Sequence, residues 1–221
     1  MAFRVICLAL SKIKLVVFTF SSGGGQWHAA EFDDWSALTA GPANSSFSGA
    51  VLSGRYFAHK CFCWVMRGRN KLLVLDTCTM EFSSVDIPPS SSWRHWAIVE
   101  AGEGRFGLFT PLFDRQSRAY DLLYIVLRND GQGANQWQWE AKIRLPLNYH
   151  YNILGAAGGY LLLLGFSEPS MLLPASERPK KQCFSLNLKT FQIEWFCESI
   201  SLIEDAPLYA GFPPSLSPPT I

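Results

Sequence analysis

Four segments of this 221-residue chain share one shape: an apolar run, a polar turn, and a second run that opens near a large apolar residue. They are Lys14 to Trp27 (KLVVFTFSSGGGQW), Lys71 to Phe82 (KLLVLDTCTMEF), Leu122 to Trp137 (LLYIVLRNDGQGANQW) and Cys183 to Ile193 (CFSLNLKTFQI). The anchors Trp27, Phe82, Trp137 and Ile193 lie 55, 55 and 56 residues apart. A fixed period constrains the fold more than any other feature here. A unit that recurs cannot bury its apolar faces alone and must stack against its own copies.

Each period divides into strands. The second unit predicts strands near Gly49 to Leu52, Phe57 to Val65, Lys71 to Asp76 and Glu81 to Ile87, with turns at Gly54, Gly68 and Thr77 to Met80. The third predicts Trp96 to Glu100, Arg105 to Phe109, Tyr120 to Leu127 and Gln136 to Ile143. The fourth predicts Tyr151 to Leu154, Gly159 to Phe166, Gln182 to Asn187 and Gln192 to Cys197. Proline-bearing loops at Pro88-Pro89 and Pro146 close the units, since proline cannot continue a ladder. The runs Leu72 to Leu75 and Leu161 to Leu164 are apolar without alternation, the pattern of a strand covered on both faces. A four-stranded antiparallel unit recurring at this spacing is the blade of a β-propeller, which predicts an all-β fold of kelch-like type. The blades fall at 45–92, 93–147 and 148–203. Residues 1–44 supply only three strands, near Phe3 to Leu8, Ile13 to Phe20 and Gln26 to Phe32, so the expectation is a partial propeller of about three and three-quarter blades belonging to a longer ring. The proline-rich tail, 204–221, carries no strand pattern.

Composition sets limits on function. Nineteen basic against eighteen acidic residues give a net charge of +1, so no global field draws the chain to nucleic acid or anionic lipid. The longest apolar runs fall far short of the ~20 residues that span a bilayer. Lys12 and Lys14 interrupt the N-terminal apolar stretch and argue against a signal peptide. Six cysteines without regular spacing fit a reducing compartment, and the expected location is cytoplasmic or nuclear.

The runs LLVLDTCTMEFSSVDIP (Leu72 to Pro88), NQWQWEAKIRLP (Asn135 to Pro146), FSLNLKTFQIEWFCE (Phe184 to Glu198) and APLYAGFPPSLSPPT (Ala206 to Thr220) resemble the F-box-associated propeller region of plant F-box proteins, particularly a large grass group. The resemblance covers nearly the whole chain. It implies a non-catalytic substrate-recognition propeller of a cullin ubiquitin ligase, whose F-box docks on the Skp adaptor. No helical F-box precedes the first strand, so the Skp adaptor is an expected partner only of a longer product that supplies one. Two alternatives stand beside this one: a kelch-like propeller enzyme or carbohydrate-binding domain, which would need a metal or carboxylate cluster at its axis, and a truncated product unable to close its ring.

Other motifs have structural explanations. Gly102 to Gly107 matches G-x-G-x-x-G, but a strand rather than a helix follows it, so it is read as a turn and no cofactor is expected. Gly23 to Gly25 reads as a hairpin turn needing positive φ. His59, Cys61 and Cys63 alternate along a predicted strand, but no second pair of ligands stands near them, so no metal is expected. His28, His95 and His150 stand apart from any nucleophile motif, and no catalytic residue is assigned. Asn44-Ser45-Ser46 fits the glycosylation acceptor pattern, which has no meaning without secretion. For binding, the loops between second and third strands hold Arg67 and Arg69 in one unit and Asp114, Arg115 and Arg118 in the next. An arginine-bearing rim contacting a protein substrate is the expectation they carry.

Overall fold

The structure, a computed structural model, describes residues 4–11, 13–39, 51–67, 69–88, 96–129, 135–167 and 180–199. Within them the chain is all-β except for one short helix, and its strands form four separate antiparallel sheets. The first holds β1 (Arg4–Leu10), β2 (Leu15–Ser21) and β3 (Gln26–Glu31) in sequence order. The second holds β4 (Val51–Ala58), β5 (Cys61–Arg67), β6 (Lys71–Asp76) and β7 (Phe82–Asp86). The third holds β8 (Ala97–Ala101), β9 (Arg105–Asp114), β10 (Ala119–Asn129) and β11 (Asn135–Arg144). The fourth holds β12 (His150–Ala157), β13 (Tyr160–Phe166), β14 (Lys181–Asn187) and β15 (Ile193–Ser199). Every sheet is a meander of neighbours in sequence, as the recurring strand-turn-strand pattern requires. The anchors Trp27, Phe82, Trp137 and Ile193 all fall within the first three residues of the last strand of their sheets.

The chain forms two compact units, Met1–Arg55 with Cys61–Ile87 and Tyr56–Lys60 with Pro88–Ile221. In the first unit, Leu15 and Val17 of β2 pack with Trp64, Met66, Leu73 and Leu75 of β5 and β6. The helix α1 (Trp35–Thr39), absent from the sequence-based expectation, joins this core through Trp35. The indole is fully buried and donates to the Ser11 carbonyl at 3.1 Å, which satisfies its one polar atom. In the second unit, Phe109 and Leu122 of the third sheet pack with Tyr151, Leu161, Leu163, Phe184 and Leu186 of the fourth. Leu108, Ile98 and Ile125 on the opposite face of the third sheet are buried as well. Leu72 to Leu75 are buried without alternation, as their sequence predicts, whereas in the second such run Leu162 is only half-buried. Outer strands differ: β3 is exposed throughout, and β11 mostly so.

Two turns depart from the sequence reading. Gly54 is not a turn but lies inside β4 with φ +62°, and the strand foreseen as Phe57 to Val65 is broken at His59-Lys60. Both turn residues have positive φ, 49° and 61°, the requirement of a tight hairpin whose twist matches its strands. Gly158-Gly159 fills the same place in the fourth sheet, with φ 60° and 84°. Because glycine is the usual carrier of such angles, a His-Lys turn leaves no mark in the sequence, and His59 therefore does not share a strand with Cys61 and Cys63. β9 also continues to Asp114 through Pro111, where a strand end was expected. The last pair with β8 is Ala97↔Phe109, so beyond it β9 pairs, among the described residues, with β10 alone, and a missing N–H is tolerated. The glycine runs do sit in hairpins, between β2 and β3 and between β8 and β9, and Gly25 has φ +64°.

One turn recurs in detail. Asp76 accepts the backbone N–H groups of Cys78 and Thr79 at 2.7 and 3.2 Å, the Thr79 hydroxyl accepts from Glu81 N at 3.3 Å, and Met80 has φ +61°. Asn187 accepts from Lys189 and Thr190 at 2.9 and 3.2 Å, the Thr190 hydroxyl accepts from Gln192 N at 3.3 Å, and Phe191 has φ +57°. The two loops join the third and fourth strands of their sheets.

Candidate binding surface

The concentration of chemistry lies at one end of the second unit. β9 leaves the sheet at Asp114 and β10 enters at Ala119, its partner in register. Asp114 shapes the loop between them: its carboxylate accepts from Gln116 N at 2.9 Å and from the Ser117 hydroxyl at 2.7 Å, and Arg118 takes φ +50°. The bond from Ser117, then that from Gln116, holds the Asp114 carboxyl below its ordinary range. Arg115 and Arg118 are left exposed at the tip. Pairing of Asp121 with Arg144 brings the end of β11 to the same place, and His150↔Phe166 and Lys181↔Ser199 bring the ends of the fourth sheet.

The floor is aromatic. The Tyr120 hydroxyl lies 2.7 Å from His150 Nδ1, and the imidazole is flanked by Phe113 and Phe166, ring centres 6.3 and 5.7 Å away and each tilted by 20°. Tyr151 donates to the Pro146 carbonyl at 2.9 Å, and burial pushes its hydroxyl pKa well up. Leu112 and Phe113 of β9 and Leu147 of the β11–β12 loop are exposed at this end.

The rim is basic. Asp121 is buried at the start of β10 and lies 2.6 Å from Arg144 Nε. Lys142 Nζ is 2.9 Å from the other oxygen as an ion contact rather than an aligned hydrogen bond. Lys180 pairs with Glu198 at 2.8 Å; the bond raises the lysine and lowers the carboxyl. Among the described residues this end holds six cations, Arg115, Arg118, Lys142, Arg144, Lys180 and Lys181, against three carboxylates, Asp114, Asp121 and Glu198. Toward the opposite end Lys60, Arg105, Arg128 and Lys189 are matched by Glu100, Glu103, Glu140 and Glu194. The whole positive excess of the described second unit therefore gathers at one end, although the chain is almost neutral.

The sequence-predicted arginines divide between the units. Arg67 ends β5 and its side chain lies outside the described residues; Arg69 is half-buried in the β5–β6 turn of the first unit. Arg115 and Arg118 belong to the surface just described. Its other members were not singled out, although Lys142 and Arg144, two apart on a strand, share a face and signal a common partner. His59 holds a turn: its N–H donates to Glu100 at 2.8 Å and its Nε2 lies 2.7 Å from the Arg105 carbonyl. His28 is exposed on β3, and His95 and Asn44 lie outside the described residues. Cys61 and Cys63 do alternate on β5, and burial pushes the Cys63 thiol up to about 12. Among the described residues no group of three or more His, Cys, Asp or Glu could hold a metal ion, and no helix is long and apolar enough to cross a membrane. No protein-family model matches the chain, and no curated protein matches it.

Proposed function

We propose that the four sheets are blades of a β-propeller of the F-box-associated kind, and that the chain is a non-catalytic protein-binding module whose contact surface is the basic, aromatic end of the second unit. One observation carries the reading: the Asp76 and Asn187 loops reproduce each other bond for bond, in the same topological place, two repeat periods apart. Duplicated units with buried inner strands and exposed outer strands are what blades need in order to pack flank to flank about an axis. With strands consumed by packing, loops are left for recognition. In this reading the partner is a protein substrate of a cullin ubiquitin ligase, and the Skp adaptor joins through an F-box when a product of the gene contains one.

The test is comparative capture. Chemical cross-linking of the tagged chain in plant extract is compared with the Arg115→Glu/Arg118→Glu variant and with Arg67→Glu/Arg69→Glu, all matched in melting temperature. The reading expects partner recovery to fall by about fivefold or more in the first variant, as loss of rim charges slows association. Equal recovery from all three removes the proposed surface. Copurification of the Skp adaptor with an F-box-containing product tests the ligase role separately.

A further inference from the structure

Resting on that reading, we infer that this end of the second unit binds an acidic peptide segment carrying an aromatic or large apolar side chain. The charge argument is local. Asp114, Asp121 and Glu198 are each engaged by neighbours within the surface, through Ser117 and Gln116, Arg144 and Lys142, and Lys180. Among the described residues the surface thus holds six cations against three carboxylates, while toward the other end the two signs are equal in number. Exposed and sited on a constrained hairpin, Arg115 and Arg118 reach a partner without a large ordering cost, because the Asp114 bonds already fix the loop.

The apolar argument selects the class of partner. Leu112, Phe113 and Leu147 are exposed among these cations. Phe113 belongs to the layer in which Tyr120, His150 and Phe166 lie against one another, so its ring is backed by packed aromatics. Such a ring offers a preorganised contact for an apolar side chain. A nucleic acid fits less well, since Lys142, Arg144 and Lys180 are already engaged by carboxylates of the surface, and affinity for a phosphate backbone grows with the number of phosphates that cations neutralise.

The experiment measures fluorescence anisotropy of short labelled peptides against the whole chain. A peptide of Asp and Glu around one Phe is expected to bind, to weaken with rising salt, and to bind at least about tenfold more tightly than its Lys counterpart or an Asp/Glu peptide without Phe. Arg115→Glu/Arg118→Glu and the milder Arg115→Gln/Arg118→Gln should weaken it, by about tenfold or more for the reversal. Lys189→Glu, toward the opposite end, should leave it unchanged. The inference is overturned if the acidic peptide does not bind, if Lys189→Glu weakens it as much as the arginine variants do, or if single-stranded DNA of equal charge binds as tightly. Failure here with partner capture intact removes the acidic ligand and leaves the protein-binding reading standing.

Discussion

Asp121 illustrates how one side chain fixes an edge of the binding surface. Its carboxylate is buried, and the two cations that meet it are each about half exposed. Arg144→Met leaves the buried charge with only the off-line lysine and is expected to cost about 2–4 kcal/mol. Asp121→Asn should cost less, about 1–2 kcal/mol, because the released cations can rehydrate. Urea unfolding of the two variants checks this order, and the reverse order would mean that the cations, not the carboxylate, depend on the pair.

The loops that end β6 and β14 make the corresponding argument for hairpins. Asp76→Ala and Asn187→Ala each strip an acceptor from two backbone N–H groups and are expected to destabilise by about 1–2 kcal/mol apiece. Equal losses in thermal unfolding would mark the loops as equivalent in energy as well as geometry. Within the third sheet, a methyl group at Gly107 would stand 2.7 Å from Tyr124 Cε2 and 3.0 Å from Val99 Cγ2. Gly107→Ala is therefore expected to cost about 1–3 kcal/mol by overpacking, measurable by the same unfolding curves. This gives the second half of the G-x-G-x-x-G run a reason of its own: the glycine lets an aromatic ring lie against the strand.

The stability of the molecule as a whole should respond to alkali. Burial raises Cys63 from 9.0 to about 12 and Tyr56 from 10.0 to about 12; burial, then the hydrogen bond with Cys197, raises Cys183 from 9.0 to about 11. A folded pKa above the unfolded one means that the folded state holds its proton more tightly. That contribution is complete below the unfolded values and lost as pH rises through the folded ones. The melting temperature is expected to be steady near neutrality and to fall from about pH 9 toward 12, with a shallower fall in Cys63→Ala. In acid the sign reverses for Asp114 and Glu198, whose lowered pKa values give stability that disappears as pH falls through them. Glu198 is exposed and Asp114 sits at a strand end in contact with solvent, so the acid limb should be the gentler one.

Most of the fifteen strands could be placed within a few residues from alternation, apolar runs and proline, because these are properties of adjacent residues; β4 and β5 are the exception, divided in the sequence reading at Gly54 instead of at His59-Lys60. The repeat was legible for the same reason: Trp27, Phe82, Trp137 and Ile193 fall within the first three residues of the last strand in four sheets. The His59-Lys60 turn was hidden because its positive φ values rest on residues that usually avoid them. Of the candidate surface, the loop with Arg115 and Arg118 was visible as a charged turn, but neither the Tyr120–His150 pair nor the gathering of Lys142, Arg144, Lys180 and Lys181 was, and the Arg67–Arg69 loop falls in the other unit. Local sequence thus determined the strands, their meandering order and the period, since each depends on a few neighbouring side chains. Only tertiary structure decided where charge collects, because register and sheet-on-sheet packing bring together residues as far apart as Phe113 and Phe166, and a near-zero net charge says nothing about its distribution.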